Sequence, residues 1–297
     1  MNAFDLGRLG VWGHLDSLSA TDAAAYVRRA EELGYGTLWV PETVGREPIA
    51  LLGYLAASTD RIHLGTSIVN IWGRDAQAAR MAARTLAEAS AGRFVLGLGV
   101  SHPHLAGKLR GHRFERPLSR MRDYLAAYRG AVYHGPGASH DAAEPPVMIA
   151  ALREKMTDLA ATDADGALPY LVTVERVAWM RQRLDAAALG DHPQLAVTLP
   201  VVIGDPGDRN AARAYLRPYL RTPTYQASWE LQGFGAPDWE SPASDRLVDA
   251  MIAVGSVEDV RRRIDELHAA GADHVAIIPL APDGVTEHLE TLEALGA

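Results

Sequence analysis

Short, nearly continuous apolar runs alternate along this chain with longer stretches in which apolar residues return at helical spacing. Residues 9–12 form the first run and predict a strand. Ser19, with Asp22 three residues on, is placed to cap a helix whose Ala24, Val27, Ala30 and Leu33 share a face, and Gly34 and Gly36 stop it. Residues 37–40 predict a second strand and 48–58 a second helix. One β-rich third strand covers 61–70, then come a helix over 75–90 and a fourth strand over 94–100. The pattern continues with a helix over 117–132, a turn-rich loop over 134–146, a fifth strand over 147–150 and a helix over 153–161. A sixth strand over 164–168 precedes a helix over 174–188; a seventh strand over 195–203 precedes a helix over 207–220. A last helix over 256–270 leads into an eighth strand over 274–279.

Eight strand–helix units in succession predict an α/β fold, a closed (β/α)₈ TIM barrel. The competing arrangement, an open doubly wound sheet, lacks its usual glycine-rich fingerprint after the first strand. No linker interrupts the alternation, so residues 1–297 are expected to form one domain. Residues 222–245, with Pro223, Pro237 and Pro242, depart from the pattern and read as an insertion after the seventh strand. That position predicts a lid or wall over the face where barrels carry their chemistry.

The length of 297 residues suits a barrel of about 250 residues plus such an insertion. The chain has no cysteine, which removes disulfides, thiolate metal sites and cysteine nucleophiles from consideration. A net charge of −8 argues against nucleic acid and anionic membrane as partners. No apolar stretch approaches the ~18 residues of a membrane span, and the start MNAFDLGRLGVWG lacks a signal-peptide pattern, so a cytoplasmic protein is expected.

In a barrel the reactive groups lie at the C-terminal ends of the strands. Topology therefore selects Trp12 and His14 after the first strand, Glu42 and Thr43 after the second, and Ser67 to Trp72 at the end of the third. Ser101, His102 and His104 follow the fourth strand, Leu152 and Arg153 the fifth, and Pro169 to Thr173 the sixth. Aromatic rings, histidines and backbone-rich segments suit a flat heteroaromatic ligand with a phosphate tail better than a metal or a covalent nucleophile.

Five segments carry a resemblance: RIHLGTSIVNIWGRDA, AGRFVLGLGVSH, FERPLSRMRDYLAAYRG, PPVMIAALREKMTDLAATDADGALPYLVTVERV and GSVEDVRRRIDELHAAGADHVAIIPL. In this order they resemble the third to sixth and C-terminal units of the luciferase-like flavin and deazaflavin oxidoreductases, in particular members that use coenzyme F420. The resemblance implies a non-proline cis peptide at Ser67–Ile68, behind the central ring of the cofactor. It implies cofactor contacts from Glu42, Ser67, Ile68, Asn70, Leu152, Arg153, Tyr170, Leu171 and Thr173, with Glu42 and Asn70 at the polar rim of the ring and the 152–153 and 170–173 segments on phosphate. A helix start after Leu152 and the fork of Arg153 fit the phosphate role, although Arg153 also fits a solvated helix-start arginine. Homodimers are usual in the family.

Hydride chemistry needs a proton donor or acceptor nearby, and histidine suits neutral pH. His102 is the first candidate and His14 the second, each equally fitting a hydrogen bond to loop backbone. Trp12, Trp72 and His104, with Phe234 or Trp229, are candidates for a substrate pocket that takes a moderately hydrophobic alcohol, ketone or enone. Some deazaflavin dehydrogenases carry histidine where Thr43 stands, and the sugar-phosphate branch carries glutamate where His102 stands, which argues against a sugar phosphate as substrate. Gly97 and Gly99 remove side chains where the cofactor or a neighbouring strand comes close. Three alternatives stay open. The cofactor is FMN and the enzyme a monooxygenase; the pair His102 and His104 marks a metal-dependent hydrolase; or the chain binds cofactor without turnover.

Overall fold

In a computed structural model of the chain, which describes residues 4–136, 144–281 and 286–296, the strands join into a single parallel sheet. They are β1 (Leu9–Trp12), β2 (Thr37–Val40), β3 (His63–Thr66), β4 (Val69–Asn70), β5 (Phe94–Gly99), β6 (Val147–Ala150), β7 (Gly166–Leu168), β8 (Gln194–Ile203), β9 (Ala253–Gly255) and β10 (His274–Leu280). β10 pairs with β1 on one side and with β8 on the other, so the sheet closes and the open-sheet arrangement is ruled out. β3 and β4 both pair with β5 and are two pieces of one stave, parted at Ser67–Ile68, whose peptide bond is cis as the resemblance implies. β9 lies outside the ring, against the C-terminal end of β8. Eight staves remain, the expected TIM barrel.

The helices are α1 (Ala20–Glu32), α2 (Pro48–Ala56), α3 (Ala76–Ala89), α4 (Pro117–Gly130), α5 (Glu154–Asp163), α6 (Val174–Ala187), α7 (Asn210–Leu216), α8 (Pro223–Glu230), α9 (Ala236–Trp239), α10 (Asp245–Met251), α11 (Val257–Ala269) and α12 (Leu289–Leu295). Side-chain caps fix several starts. Ser19 Oγ accepts the Asp22 N–H at 3.1 Å, and Thr173 Oγ1 accepts that of Arg176 at 3.1 Å. Ser256 and Asp259 form a reciprocal box on α11.

Several elements differ from the sequence pattern. The third strand is split. The 222–245 stretch, read as an insertion, holds α8 and α9, and α10, α12, β9 and a π-helical turn over His104–Leu109 were not expected. Part of the 134–146 loop lies outside the described residues.

Strand residues alternate between two apolar layers, as a period of two requires. Phe94, Leu96 and Leu98, like Leu38, Val40, Val275 and Ile277, pack with the surrounding helices. Trp39, Val95, Met148, Leu168, Ala276, Ile278 and Leu280 fill the lumen and join the layer beneath α7, α8 and α10. Gly97 and Gly99 take inner positions. A Cβ on Gly97 would lie 1.8 Å from the Thr66 carbonyl oxygen, and one on Gly99 would lie 2.5 Å from Ile68 Cδ1. Close strand neighbours thus account for both glycines.

Toward the N-terminal end of the lumen, His274 is fully buried and bonded on both sides. Its Nε2 accepts the Trp39 indole N–H at 3.0 Å, and its Nδ1 stands 2.6 Å from the Gly7 carbonyl oxygen. An indole N–H only donates and a carbonyl only accepts, so the ring is neutral with its proton on Nδ1. Burial holds its pKa down at about 4.

Candidate functional site

The C-terminal mouth of the barrel is lined with aromatic rings that touch in sequence. Trp12, ending β1, donates its indole N–H to the Ser67 carbonyl at 2.9 Å. Its ring meets His14 edge-on at 4.9 Å and lies nearly parallel to Tyr170, at 11° with centroids 6.3 Å apart. Tyr170 follows β7 and touches Tyr219 at 5.5 Å and Tyr225 at 5.9 Å. Tyr225 reaches across to His102, 5.3 Å away, which stacks on His104 at 5.9 Å. Five of the residues singled out by topology, Trp12, His14, His102, His104 and Tyr170, are therefore gathered in one place.

Backbone geometry at the mouth is unusual at three non-glycine positions. Leu15, Ser101 and Leu171, just beyond β1, β5 and β7, have φ of 54°, 57° and 53°. Such conformations cost about 1–3 kcal/mol and collect at functional sites. The Leu15 turn is secured by Glu287, which accepts its N–H at 3.1 Å and the Ser17 hydroxyl at 3.0 Å.

His102 and His14 are held low. Burial depresses His102 to about 4, with His104 adding repulsion, and its Nδ1 is buried without a hydrogen-bond partner. Burial also lowers His14, against the opposing pull of Asp16 and Glu287. Tyr170, Tyr215 and Tyr225 are raised well above the usual phenol range, chiefly by burial. His102 and the three phenols thus present un-ionised, largely desolvated groups at pH 7.

Glu42 and Asn70 are brought together, though in a polar knot of their own. Glu42 Oε2 accepts the Asn70 backbone and side-chain N–H groups, both at 2.7 Å. Its Oε1 takes Arg74 and Arg110, both at 3.1 Å. Arg110 follows the π-helical turn, so this carboxylate ties the loop after β5 to the end of β2. Trp72 stands apart from the mouth rings. Its indole N–H donates to the Val100 carbonyl at 2.8 Å, and its ring packs on His112 and Phe114 with Arg120 above it. It lies in the turn after β4, which carries it into the helix-side layer.

The segments assigned to phosphate are partly engaged. Arg153 is exposed at the N-cap of α5 with no side-chain cap. Leu152 is half-buried, its carbonyl accepting Arg176 at 2.7 Å. The Thr173 N–H donates to Gln232 Oε1 at 2.7 Å, and the Leu171 carbonyl accepts Trp229 Nε1 at 3.2 Å. Residues of the 222–245 stretch therefore sit directly on the chain after β7.

Residues 1–274 match the luciferase-like monooxygenases. The chain belongs to that family. A Mycobacterium tuberculosis protein assigned by name to the coenzyme F420-dependent oxidoreductases is 28% identical, across 97% of each chain. An F420-dependent secondary alcohol dehydrogenase, solved with an F420–acetone adduct, superposes with a TM-score of 0.73 at 13% identity, covering 98% of this chain and 99% of that one. The oxygenating part of a Baeyer–Villiger monooxygenase from Pseudomonas putida, solved with FMN, gives 0.68 at 16% identity over 91% of each chain. Family membership makes this luciferase-like chain an oxidoreductase, and the structural likeness confirms the fold.

Two buried polar atoms of this luciferase-like mouth fit a bound redox cofactor and its substrate. One is His102 Nδ1. The other is Arg176 Nε, buried and unpartnered on a guanidinium that otherwise stacks on Trp179 at 3.7 Å and holds the Leu152 carbonyl. Orphan buried groups of this kind call for an explanation, and an anionic or hydrogen-bonding ligand supplies one. Arg176 was missed because a helix-start arginine in sequence looks solvent-facing. Tyr215, Tyr219 and Tyr225 were missed as well, although Tyr215 and Tyr219 at i and i+4 after the seventh strand signalled one aromatic face.

Proposed function

We propose that this luciferase-like oxidoreductase holds coenzyme F420 at the C-terminal mouth and moves a hydride between it and a small uncharged alcohol, ketone or enone. The observation that carries the reading is the His102 imidazole: half-buried among aromatic rings, neutral at pH 7, with one nitrogen free of any partner. Bound deazaflavin supplies the hydride acceptor or donor. The protein's part is to place and desolvate the reactants and to manage one proton.

His102 is suited to accept the hydroxyl proton of an alcohol as its carbon gives up hydride, and to return it in the reverse direction. His14, edge-on to Trp12, is the second candidate for that role. Ser67 and Ile68 are assigned to the ring face, with Glu42 and Asn70 toward its polar rim. Leu152, Arg153, Tyr170, Leu171 and Thr173 are assigned to the phosphate-bearing tail, and Arg176 joins them as the buried cation. The 222–245 stretch serves as the lid. The relative named for F420 supports the deazaflavin over FMN.

Titration of the purified chain with F420 and with FMN tests the reading, followed by fluorescence. F420 is expected to bind at least about tenfold more tightly, a difference of about 1.4 kcal/mol. Tighter binding of FMN, or of neither, would overturn it.

A further inference from the structure

Tyr219 and Tyr225 belong to no stave of the barrel, yet they complete its mouth. Tyr225 lies 5.3 Å from both Tyr219 and His102, 5.9 Å from Tyr170 and 5.9 Å from Trp229. It is the ring that links the histidine side of the mouth to the Trp12–Tyr170 side. Tyr170 and Tyr215 bond hydroxyl to hydroxyl, which fixes the rear of the cluster. Burial keeps the Tyr170, Tyr215 and Tyr225 phenols un-ionised.

We infer that Tyr219 and Tyr225 are specificity-determining residues that select substrates carrying an uncharged, planar aromatic ring, such as aryl alcohols and aryl ketones. The inference rests on the hydride reading for the reaction and on the ring cluster alone for the choice of substrate. Two physical arguments support it. First, a ligand entering among these rings must separate contacts between them. An aromatic ligand restores ring-to-ring contact on the faces it exposes; a saturated ligand of equal size restores only area. Second, the ring partners around Tyr225 are phenols, indole and imidazole, with no guanidinium or ammonium among them. A carboxylate or phosphate on a substrate seated against Tyr225 would meet only these ring partners there, and its desolvation would go uncompensated at that spot.

Calorimetric titration with 2-naphthylmethanol and its decahydro analogue tests this, in F420-loaded protein and in protein without cofactor. One lost aromatic pair corresponds to roughly a 2- to 12-fold change in affinity. The wild type is expected to favour the naphthyl compound by about tenfold, and Tyr225→Leu and Tyr219→Leu each to bring the ratio within about twofold. Glu88→Gln, exposed near the C-terminal end of α3 and given no part in the site, is expected to keep the wild-type ratio. Equal binding of the two probes by the wild type, or an unchanged ratio in both leucine variants, would overturn the inference. Failure of F420 itself to bind would remove the hydride reading instead, and the cofactor-free titration would still decide the ring preference.

Discussion

Acid should weaken this fold through one buried ring, His274. In the folded chain its two nitrogens are committed, one to the Trp39 indole at 3.0 Å and one to the Gly7 carbonyl at 2.6 Å. Protonation would place a second N–H against the indole donor and leave a cation with no solvent around it. Burial accordingly holds the ring near pKa 4, whereas the unfolded chain has the ordinary value of 6.5. Between these values the unfolded state binds more protons, so stability rises with pH across that window. The contribution is complete above about pH 6.5, declines as the pH falls toward 4, and changes no further below that, because both states are then protonated. Displacing a histidine this far corresponds to about 3 kcal/mol, a large share of the 5–15 kcal/mol typical of a folded domain.

His14, His63 and His102 also have lowered values, so the wild-type curve alone does not isolate His274. Comparison with His274→Gln does. Urea midpoints read by tryptophan fluorescence from pH 7.5 to 4 should show the variant less stable at neutral pH, by about 1–3 kcal/mol for the lost contacts. The two curves should then approach one another as the pH falls, because only the wild type loses the His274 contribution. NMR titration of the wild-type ring gives a direct reading that survives a variant too unstable to study. Parallel stability curves, or a ring that titrates near 6.5 in the folded protein, would refute the reasoning.

Three further outcomes follow from the site and its supports. For alcohol oxidation, kcat/KM should stay level from pH 8 to about 5 and fall only toward 4, because His102 keeps its proton-accepting form that far; an acid limb near 6.5 that disappears in His102→Gln would contradict this. Gly97→Ala would set a methyl group 1.8 Å from the Thr66 carbonyl oxygen, so urea denaturation should show a loss of about 3 kcal/mol or more, and an unchanged midpoint would count against the packing described. Glu42→Gln removes the carboxylate that holds Arg74 and Arg110, so hydrogen exchange should quicken over residues 104–113, with stability down by about 1–3 kcal/mol; protection equal to the wild type would show that Glu42 does not tether that loop.

Most of the barrel was legible because each stave and its helix carry their own periodicity. β1, β2 and β6 fall where the apolar runs place them, and closure follows from the count of staves. The break in the third stave is invisible to periodicity, since RIHLGTSIVN is uniformly β-forming; it was foreseen only through the family resemblance. The 222–245 stretch was read only as an insertion, without its helices, because its prolines look like interruptions, whereas Pro223 begins α8 and Pro237 lies in the first turn of α9, positions where a missing N–H costs nothing. Site residues were legible where topology alone places them at the mouth, as with Trp12, His102 and Tyr170. The register of Trp72 and the bonds that occupy Glu42 depend on three-dimensional neighbours that no local pattern encodes.

The two glycines of β5 bear on how deep a ligand can sit. Sequence left them two roles, clearance for a cofactor or clearance for a neighbouring strand. The distances favour the second: the space beside Gly97 belongs to the Thr66 backbone, and the space beside Gly99 to the Ile68 side chain. Below them Val95, Met148, Leu168 and the Trp39–His274 pair close the lumen. On the proposed reading a planar ligand would therefore sit above Ile68, at the level of Trp12, Tyr170 and His102. At that level the barrel supplies one side of the enclosure and the segment after β8 supplies the other, through Tyr219, Tyr225 and Trp229. On the proposed reading the staves would set where the reaction takes place, and Tyr219 and Tyr225 would set what is admitted. Substitution of the half-buried Tyr219 should accordingly change substrate preference with less loss of stability than substitution at the buried Trp229, Gly97 or His274.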